Sequence, residues 1–488
     1  MGSSITTAQI SWGDPDGMAQ DRDRQRLNAA RHRAIQRTSK WLAIAVLVAF
    51  GSNAWAKKID VYDLKGLIWE STQNHPSVLH LRELLRSAES DVDYSKRQYY
   101  PDVSLSAAYH ESANTGSLIV KQHLWDGGTL KAGVDVANKN VDLARATVDE
   151  QTQSIAVRTL DAWRTFVLTQ QKALIVDQGI SRLHALRQMM QRRVDAQVSP
   201  RVELELVRAR VIQLQVERDA LLADRDLAVD RLAQLTGAEI DVSMPASQLM
   251  ARWADLISRG WRQPTSDALK TLGDEQPSVR RSRLEASVAS AEVQQREANQ
   301  WPQIYLQYQQ GVGTPITNEK KLVLGVSYVP GAGWSSQSLL DAALARSRAK
   351  AFASLSSLRE ARENIEAKVQ AIRRAETLAK SWQPSVTASE SLLASYQRQF
   401  VAGRKTWQEV LTQLHELNQG RQSLLDVQVT WVASQAEVEL MKAATSGASR
   451  FADGWYQTHF ELSEPTVDSS DKGSAAGEPA GMKPGKPF

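Results

Sequence analysis

The chain has 488 residues, 42% apolar and 23% charged, which is enough for two or three ordinary domains or one large elongated one. It contains no cysteine, which excludes disulfides, thiolate metal sites, a cysteine nucleophile and lipid attachment through an N-terminal cysteine. Most of the formal charge of +4 lies in residues 1–56, and the near-neutral remainder excludes a nucleic-acid-binding surface.

The N-terminal segment has the pattern of an export signal. A basic stretch precedes the apolar run Trp41–Phe50, and Ala54-Trp55-Ala56 follows as a small-residue cleavage site. Ten apolar residues are too few to span a bilayer. We therefore predict a signal peptide over residues 1–56, starting at Met1 or Met18; an N-terminal membrane anchor is the alternative.

The mature chain reads as helix interrupted by one β-hairpin. Two helical stretches come first, ending near Asn74 and Gln98. Alternation of apolar and polar residues then predicts strands at about 102–110 and 117–125. Turn residues mark the two ends of this hairpin: Pro101, Gly127 and Gly128.

A pair of long helices is predicted after the hairpin. Apolar residues recur at steps of four and three over about residues 129–236, which is typical of a coiled coil. A short break before Pro200 divides this stretch in two, so the helices must lie antiparallel. The first would extend about 95 Å at 1.5 Å per residue.

The whole pattern is repeated about 200 residues later, with Pro302 matching Pro101 and with Gly331 and Gly333 closing the second hairpin. Its strands are predicted at about 303–311 and 321–330, and its helical hairpin at about 335–442. The predicted organisation is a first repeat over 57–237, a connector over 238–273 with a helix near 248–259, a second repeat over 274–445, and a disordered tail over 446–488.

Four strands in one chain cannot close a barrel, and open sheet edges leave backbone groups unpaired. Strands of nine or ten residues can cross a membrane if several chains pool them in a closed ring. A small soluble sheet is the alternative. Five aromatic residues at the helix-side ends of the strands would form an interfacial girdle in the first case and a core in the second: Tyr99, Tyr100, Trp125, Trp301 and Trp334.

The duplicated order of two strands, a long helix and a return helix resembles the TolC family of outer-membrane efflux and secretion proteins. The motifs that carry the resemblance are NHPSV, QHLWDGG, LAQLTG and, most specifically, QFVAGRKTWQEVL. They span about residues 60–445. The resemblance implies a mainly α-helical protein with a small membrane β part, in which a homotrimer pools twelve strands into one outer-membrane β-barrel. A periplasmic α-helical barrel would continue it.

The resemblance also implies a function and a set of partners. The trimer would be an exit duct in contact with outer-membrane lipid, receiving substrate from a periplasmic adaptor protein and an inner-membrane ABC or RND transporter. The lack of a lipidated cysteine favours type I protein secretion over multidrug efflux. A periplasmic coiled-coil adaptor is the competing class of protein, although adaptors have one helical hairpin inserted among β-rich domains.

No cofactor or metal is expected, and the chain is predicted not to be an enzyme. Its eight histidines show no metal-ligand spacing, and glycine-rich nucleotide-binding patterns are absent from the sequence.

At the helical tips the resemblance implies a gate. Phe400 matches an aromatic residue that contributes to closure, and Glu409 matches an acid that forms a cation-attracting ring when tripled by symmetry. Glu203 matches an acid that pairs with the basic residue at Lys405, so a Glu203–Lys405 link would hold the tips shut. Two positions depart from the family pattern, since Gln197 replaces a tip glycine and Thr412 replaces a second acid.

Overall fold

The computed structural model describes residues 58–110, 113–243, 266–313 and 320–445. The predicted signal peptide, the connector helix near 248–259 and the C-terminal tail lie outside these residues. The described elements are, in chain order, β1 (Lys58–Asp60), α1 (Leu64–Asn74), α2 (Pro76–Arg97), β2 (Asp102–His110), β3 (Ala113–Trp125), α3 (Thr129–Asp195), α4 (Arg201–Thr236), β4 (Glu239–Asp241), α5 (Ser266–Asp274), α6 (Pro277–Ala298), β5 (Gln303–Gly313), β6 (Lys320–Ser327), a short 3-10 helix (Ala332–Trp334), α7 (Ser335–Val401) and α8 (Trp407–Thr445).

The long helices α3 and α7 have 67 residues each, about 100 Å. Their return partners are much shorter, with 36 residues in α4 and 39 in α8. Each helical hairpin therefore extends over only about half of the long helix. The other half of α3 packs against α2 and α6, and α6 also packs against α7. Val92 of α2, for example, is buried against Ala137 and Val141 of α3.

The largest hydrophobic cluster joins α1, α3, α4 and α8, with Phe166 of α3 fully buried beside Leu232 and Leu440. A two-stranded sheet of β1 and β4 adds Ile59 and Ile240 to this cluster. This sheet was not predicted, because three-residue strands are too short to show an alternating pattern. The cluster fixes both repeats to one another through contacts between α3 and α8.

The four longer strands form one antiparallel sheet in the order β2-β3-β5-β6, so β3 and β5 join the two repeats. β3 begins at Ala113, earlier than predicted, because its first residues pair with the end of β2. β6 ends at Ser327, three residues before the predicted end. The reason is Pro330, which has no N–H for a ladder and also restricts the residue before it. Among the described residues, β2 and β6 each pair along one edge only.

The register gives this sheet two chemically different faces, since directly opposed residues of antiparallel strands project to the same side. One face is apolar except toward its two ends, and it is exposed, with Leu105 82% and Val326 68% accessible. It comprises Val103, Leu105, Leu118, Val120, Ile304, Leu306, Tyr308, Leu322, Leu324 and Val326. The opposite face is mainly polar and carries Ser104, Ser106, Ser117, Lys121, Gln307, Gln309 and Lys321.

Candidate gate at the helical tips

The α3–α4 and α7–α8 loops share one backbone geometry. After α3, the Val198 N–H donates to the Arg193 carbonyl at 2.8 Å, and after α7 the Arg404 N–H donates to the Gln399 carbonyl at 2.9 Å. This six-to-one bond is the Schellman motif, which needs a left-handed residue just past the helix. Gln197 and Gly403 fill that position, with φ of 59° and 74°. Gln197 therefore adopts the conformation of the glycine that it replaces.

Trp407, at the start of α8, connects the two tips. Its indole Nε1–H donates to the Glu203 carbonyl of the other tip at 3.2 Å, and the side chain is only 2% exposed. Its ring centroid lies 5.0 Å from that of Phe400, which is buried as well. The Arg193 guanidinium lies 4.9 Å from the centroid of the Phe400 ring. Trp407 was not among the predicted gate residues, although it lies within the motif QFVAGRKTWQEVL.

Glu409 is held by its own helix end. The Lys405 ammonium donates to one carboxylate oxygen at 2.6 Å, and the Thr406 backbone N–H and hydroxyl donate to the other at 2.8 and 2.9 Å. The Glu409 N–H returns a bond to the Thr406 hydroxyl oxygen at 3.4 Å. This reciprocal arrangement is a capping box, which the spacing T-x-x-E at 406–409 could have predicted. The contacts, that of Lys405 first, lower the pKa of Glu409 to about 2.

The predicted link between Glu203 and Lys405 is not formed within the chain. Lys405 pairs with Glu409 instead and also lies 4.5 Å from the centroid of the Tyr396 ring. The Glu203 carboxylate has one buried oxygen, Oε2, with no hydrogen-bond partner in the described part of the chain. The gate roles of Glu203 and Lys405 stay predictions.

The remaining predicted residues lie at the junctions between the strands and the helices. The five girdle aromatics are all exposed on the helix side of the sheet, from 47% for Trp125 to 73% for Tyr100. Pro101 and Pro302 directly precede β2 and β5. Four glycines at the junctions have positive φ: Gly127, Gly128, Gly331 and Gly333. Asp126, which sequence reasoning missed, accepts hydrogen bonds from the N–H groups of Gly128 and Leu130 at 3.1 and 2.5 Å and so fixes the start of α3.

Comparison with known proteins gives the fold and a family match over part of the chain. Residues 67–238 match the family model described as "Outer membrane efflux protein". The match covers 172 of the 488 residues, so the chain is similar to this family over that segment. None of the curated proteins matches the chain.

Solved structures share the fold of this chain at low sequence identity. The outer membrane protein VceC of Vibrio cholerae is 16% identical with a TM-score of 0.66, and the match covers 79% of this chain and 96% of VceC. The CmeC outer membrane channel of Campylobacter jejuni is 11% identical with a TM-score of 0.65, covering 78% and 86%. The open state of the Neisseria gonorrhoeae MtrE channel is 15% identical with a TM-score of 0.65, covering 79% and 89%.

These matches confirm the predicted fold class. None of the described helices has a segment apolar enough, over sufficient length, to cross a membrane. The described residues also contain no group of three potential metal ligands. The roles of the gate and girdle residues remain predictions.

Exchanging the left-handed residues at the two helical tips should change local stability in opposite directions. Gln197→Gly should stabilise the α3 end by about 1 kcal/mol, since only glycine adopts positive φ without a steric cost. Gly403→Ala should destabilise the α7 end by about the same amount through backbone strain alone, because nothing lies within 4 Å of the added Cβ. Hydrogen exchange of the amides at 193–204 and 399–410 measures both changes. Unaltered hydrogen exchange in both variants would contradict the left-handed conformation assigned to Gln197 and Gly403.

The depressed pKa of Glu409 makes the start of α8 sensitive to acid. A carboxyl with an ordinary pKa of 4.5 and a folded pKa of about 2 stabilises the fold fully above pH 4.5, and this contribution disappears as the pH falls to 2. Cleavage by pepsin near residues 401–406 should therefore increase over this range. Glu409→Gln serves as the control, since it keeps an oxygen for the cap but cannot titrate. If cleavage of this variant depended on pH as cleavage of the wild type does, titration of Glu409 would not be the cause of the acid sensitivity.

Proposed function

We propose that this protein is one subunit of a homotrimeric exit duct that crosses the outer membrane and the periplasm. The observation that carries the proposal is the four-stranded sheet with one exposed apolar face and one polar face. An exposed apolar surface of this extent needs a partner, and the lipid of a bilayer can supply it. Strands are stable inside a bilayer only when all their edges are paired, which requires a closed barrel. Three copies would supply twelve strands, with lipid outside and the polar face toward the lumen. The repeats at 57–237 and 274–445 would supply two strands each.

The helices support the same assembly. α3 contacts α4 and α8, and α8 contacts α7, so α4 and α7 flank this group of four helices. α4 has a second apolar stripe on the face opposite its contact with α3, exposed and with heptad spacing: Val202, Leu206, Ala209, Val216, Ala220, Ala223 and Leu227. A helix with two apolar faces is suited to a position between two neighbours.

α7 has a matching exposed stripe of small and apolar residues: Leu378, Ser381, Ser385, Ala388 and Leu392. We place α4 of one subunit against α7 of the next, which makes the contact head-to-tail and allows it to close as a ring. In such a ring the helical tips of all three subunits converge at the periplasmic end.

Cysteine crosslinking tests the trimer, and because the native chain has no cysteine, only the introduced residues can react with the crosslinker. Ala209→Cys on α4 and Ala388→Cys on α7 both lie in the exposed stripes, about 12 Å and about 20 Å along their helices from the tips. A short bismaleimide should convert the double variant into dimers and trimers and nothing larger. Each single variant is the matched control and should stay monomeric, since the contact joins two different faces. Only monomers from the double variant, or a ladder beyond trimer, would reject the proposed ring.

We propose that the cargo comes from an inner-membrane transporter through a periplasmic adaptor, and two kinds of cargo are candidates. The name of the matching family model, "Outer membrane efflux protein", supports efflux. The absence of cysteine, and hence of a lipid anchor of that type, is the observation that favours type I protein secretion. Crosslinking from a cysteine at the tips followed by identification of the captured transporter distinguishes them, since an RND transporter supports efflux and an ABC transporter supports secretion. Release of the protein from membranes without detergent would contradict the duct and favour a soluble adaptor.

A further inference from the structure

The helical tips carry a strong excess of positive charge. Residues 182–210 and 396–412, which form the two tips, contain ten Lys and Arg and four Asp and Glu. The Trp407–Glu203 hydrogen bond and the buried Phe400 ring hold both tips together, so these charges lie at one end of the helices. Exposed charges of one sign at the mouth of a channel raise the local concentration of the opposite ion.

The acids at the tips are mostly engaged with neighbours. Glu409 is paired with Lys405, and Glu205 accepts a hydrogen bond from Arg208 at 2.6 Å. Asp195 accepts one from Gln191 at 2.8 Å. The Lys405–Glu409 pair has no net charge, so tripling it by symmetry does not create a negative ring.

Four arginines at the tips are exposed and make no ion pair with any described residue: Arg192, Arg201, Arg398 and Arg404. Arg192 and Arg398 lie in the last turns of α3 and α7. Arg201 begins α4, and Arg404 is in the α7–α8 loop. A guanidinium is charged at every physiological pH, so the set contributes a fixed positive charge. We call these four residues the arginine collar.

We infer that the arginine collar makes the periplasmic entrance of the duct selective for anions, so that its cargo class is solutes and peptide segments with net negative charge. The inference rests on the proposed trimer, in which the collar contributes twelve guanidinium groups around one neck. It replaces the expectation of a cation-attracting ring at Glu409. Because these charges are exposed to solvent, their effect depends on ionic strength, with a screening length of about 10 Å at 0.1 M salt and about 3 Å at 1 M.

Reversal potentials in planar lipid bilayers test this inference with the full-length protein and KCl. Under a gradient near 0.1 M KCl the wild-type channel should pass Cl⁻ in preference to K⁺, and the preference should largely disappear near 1 M. Arg201→Gln with Arg404→Gln should lower the chloride-to-potassium permeability ratio at least about twofold at low salt. Glu409→Gln should leave the anion preference in place.

The matched control is Arg86→Gln with Arg145→Gln, which removes the same charge from exposed positions on α2 and on the half of α3 nearer the sheet. This variant should keep the wild-type permeability ratio. A cation preference in the wild type that Glu409→Gln abolishes would overturn the inference in favour of the acidic ring. An unchanged ratio in the Arg201/Arg404 variant would overturn it as well. If no channels form at all, the proposed trimeric duct fails instead.

Discussion

Replacing Gly127 by alanine is expected to prevent the sheet and α3 from packing as they do in the native protein. The added Cβ would lie 2.5 Å from Cβ of Trp301 and 3.0 Å from the Ala298 carbonyl oxygen, and neither atom belongs to a flexible side-chain end. The residue also has φ of 66°, which costs an alanine about 1–2 kcal/mol. With an overpacking cost of about 1–3 kcal/mol, the total reaches about 2–5 kcal/mol.

Gly128→Ala is the matched control for this prediction. Gly128 also has positive φ, at 90°, but nothing lies within 4 Å of its added Cβ, so only the backbone strain remains. The apparent melting temperature of the detergent-purified protein should fall markedly more for Gly127→Ala than for Gly128→Ala. Equal decreases would show that the close approach of Trp301 to the added Cβ costs no stability, and they would contradict the prediction.

Trp407→Ala is expected to separate the two helical tips. Truncation of a fully buried tryptophan costs about 3–5 kcal/mol, and here it also removes the contact with Phe400 and the hydrogen bond to the Glu203 carbonyl. Limited proteolysis should then cut at residues 196–200 and 402–406 faster than in the wild type. In bilayers the proposed duct should show a larger resting conductance, since the tips would no longer hold one another.

Trp407→Phe separates the two contributions. It keeps an aromatic ring against Phe400 and removes only the indole hydrogen bond, which is worth about 1 kcal/mol. Protection against proteolysis should therefore stay close to that of the wild type. If Trp407→Phe were as sensitive as Trp407→Ala, the hydrogen bond rather than the packing would hold the tips. Wild-type behaviour of Trp407→Ala would remove Trp407 from the gate.

Turn chemistry and periodicity were enough to predict the β-hairpins and the tips. Pro101 and Pro302 mark strand starts because proline cannot continue the preceding helix, and Gly403 marks a helix end because of its positive φ. The motif around Phe400 placed an aromatic residue at the second tip, where the structure shows it buried, and its role in closure stays a prediction. These signals depend only on neighbouring residues, so they can be recognised from the sequence alone.

The parts that could not be predicted depend on distant contacts. The heptad pattern of α3 runs through two different partners, α2 along one half and α4 along the other, and the pattern is the same for either. Nothing in the sequence distinguishes Trp407 from the other aromatic residues, because its hydrogen bond to the Glu203 carbonyl depends on the folded structure. Lys405 was predicted to pair with Glu203, whereas the capping box at 406–409 holds Glu409 within hydrogen-bond distance of its ammonium group. The conformation of Gln197 is likewise set by the loop rather than by residue type.

The sheet with an open edge on either side has a consequence for genetics. In the proposed trimer no chain can close its barrel alone, so a subunit that assembles but cannot complete the ring disables its two normal partners. With equal amounts of normal and defective chain mixing at random, only about one trimer in eight contains three normal subunits. A substitution on an outer strand that spares the helices would therefore act as a dominant allele.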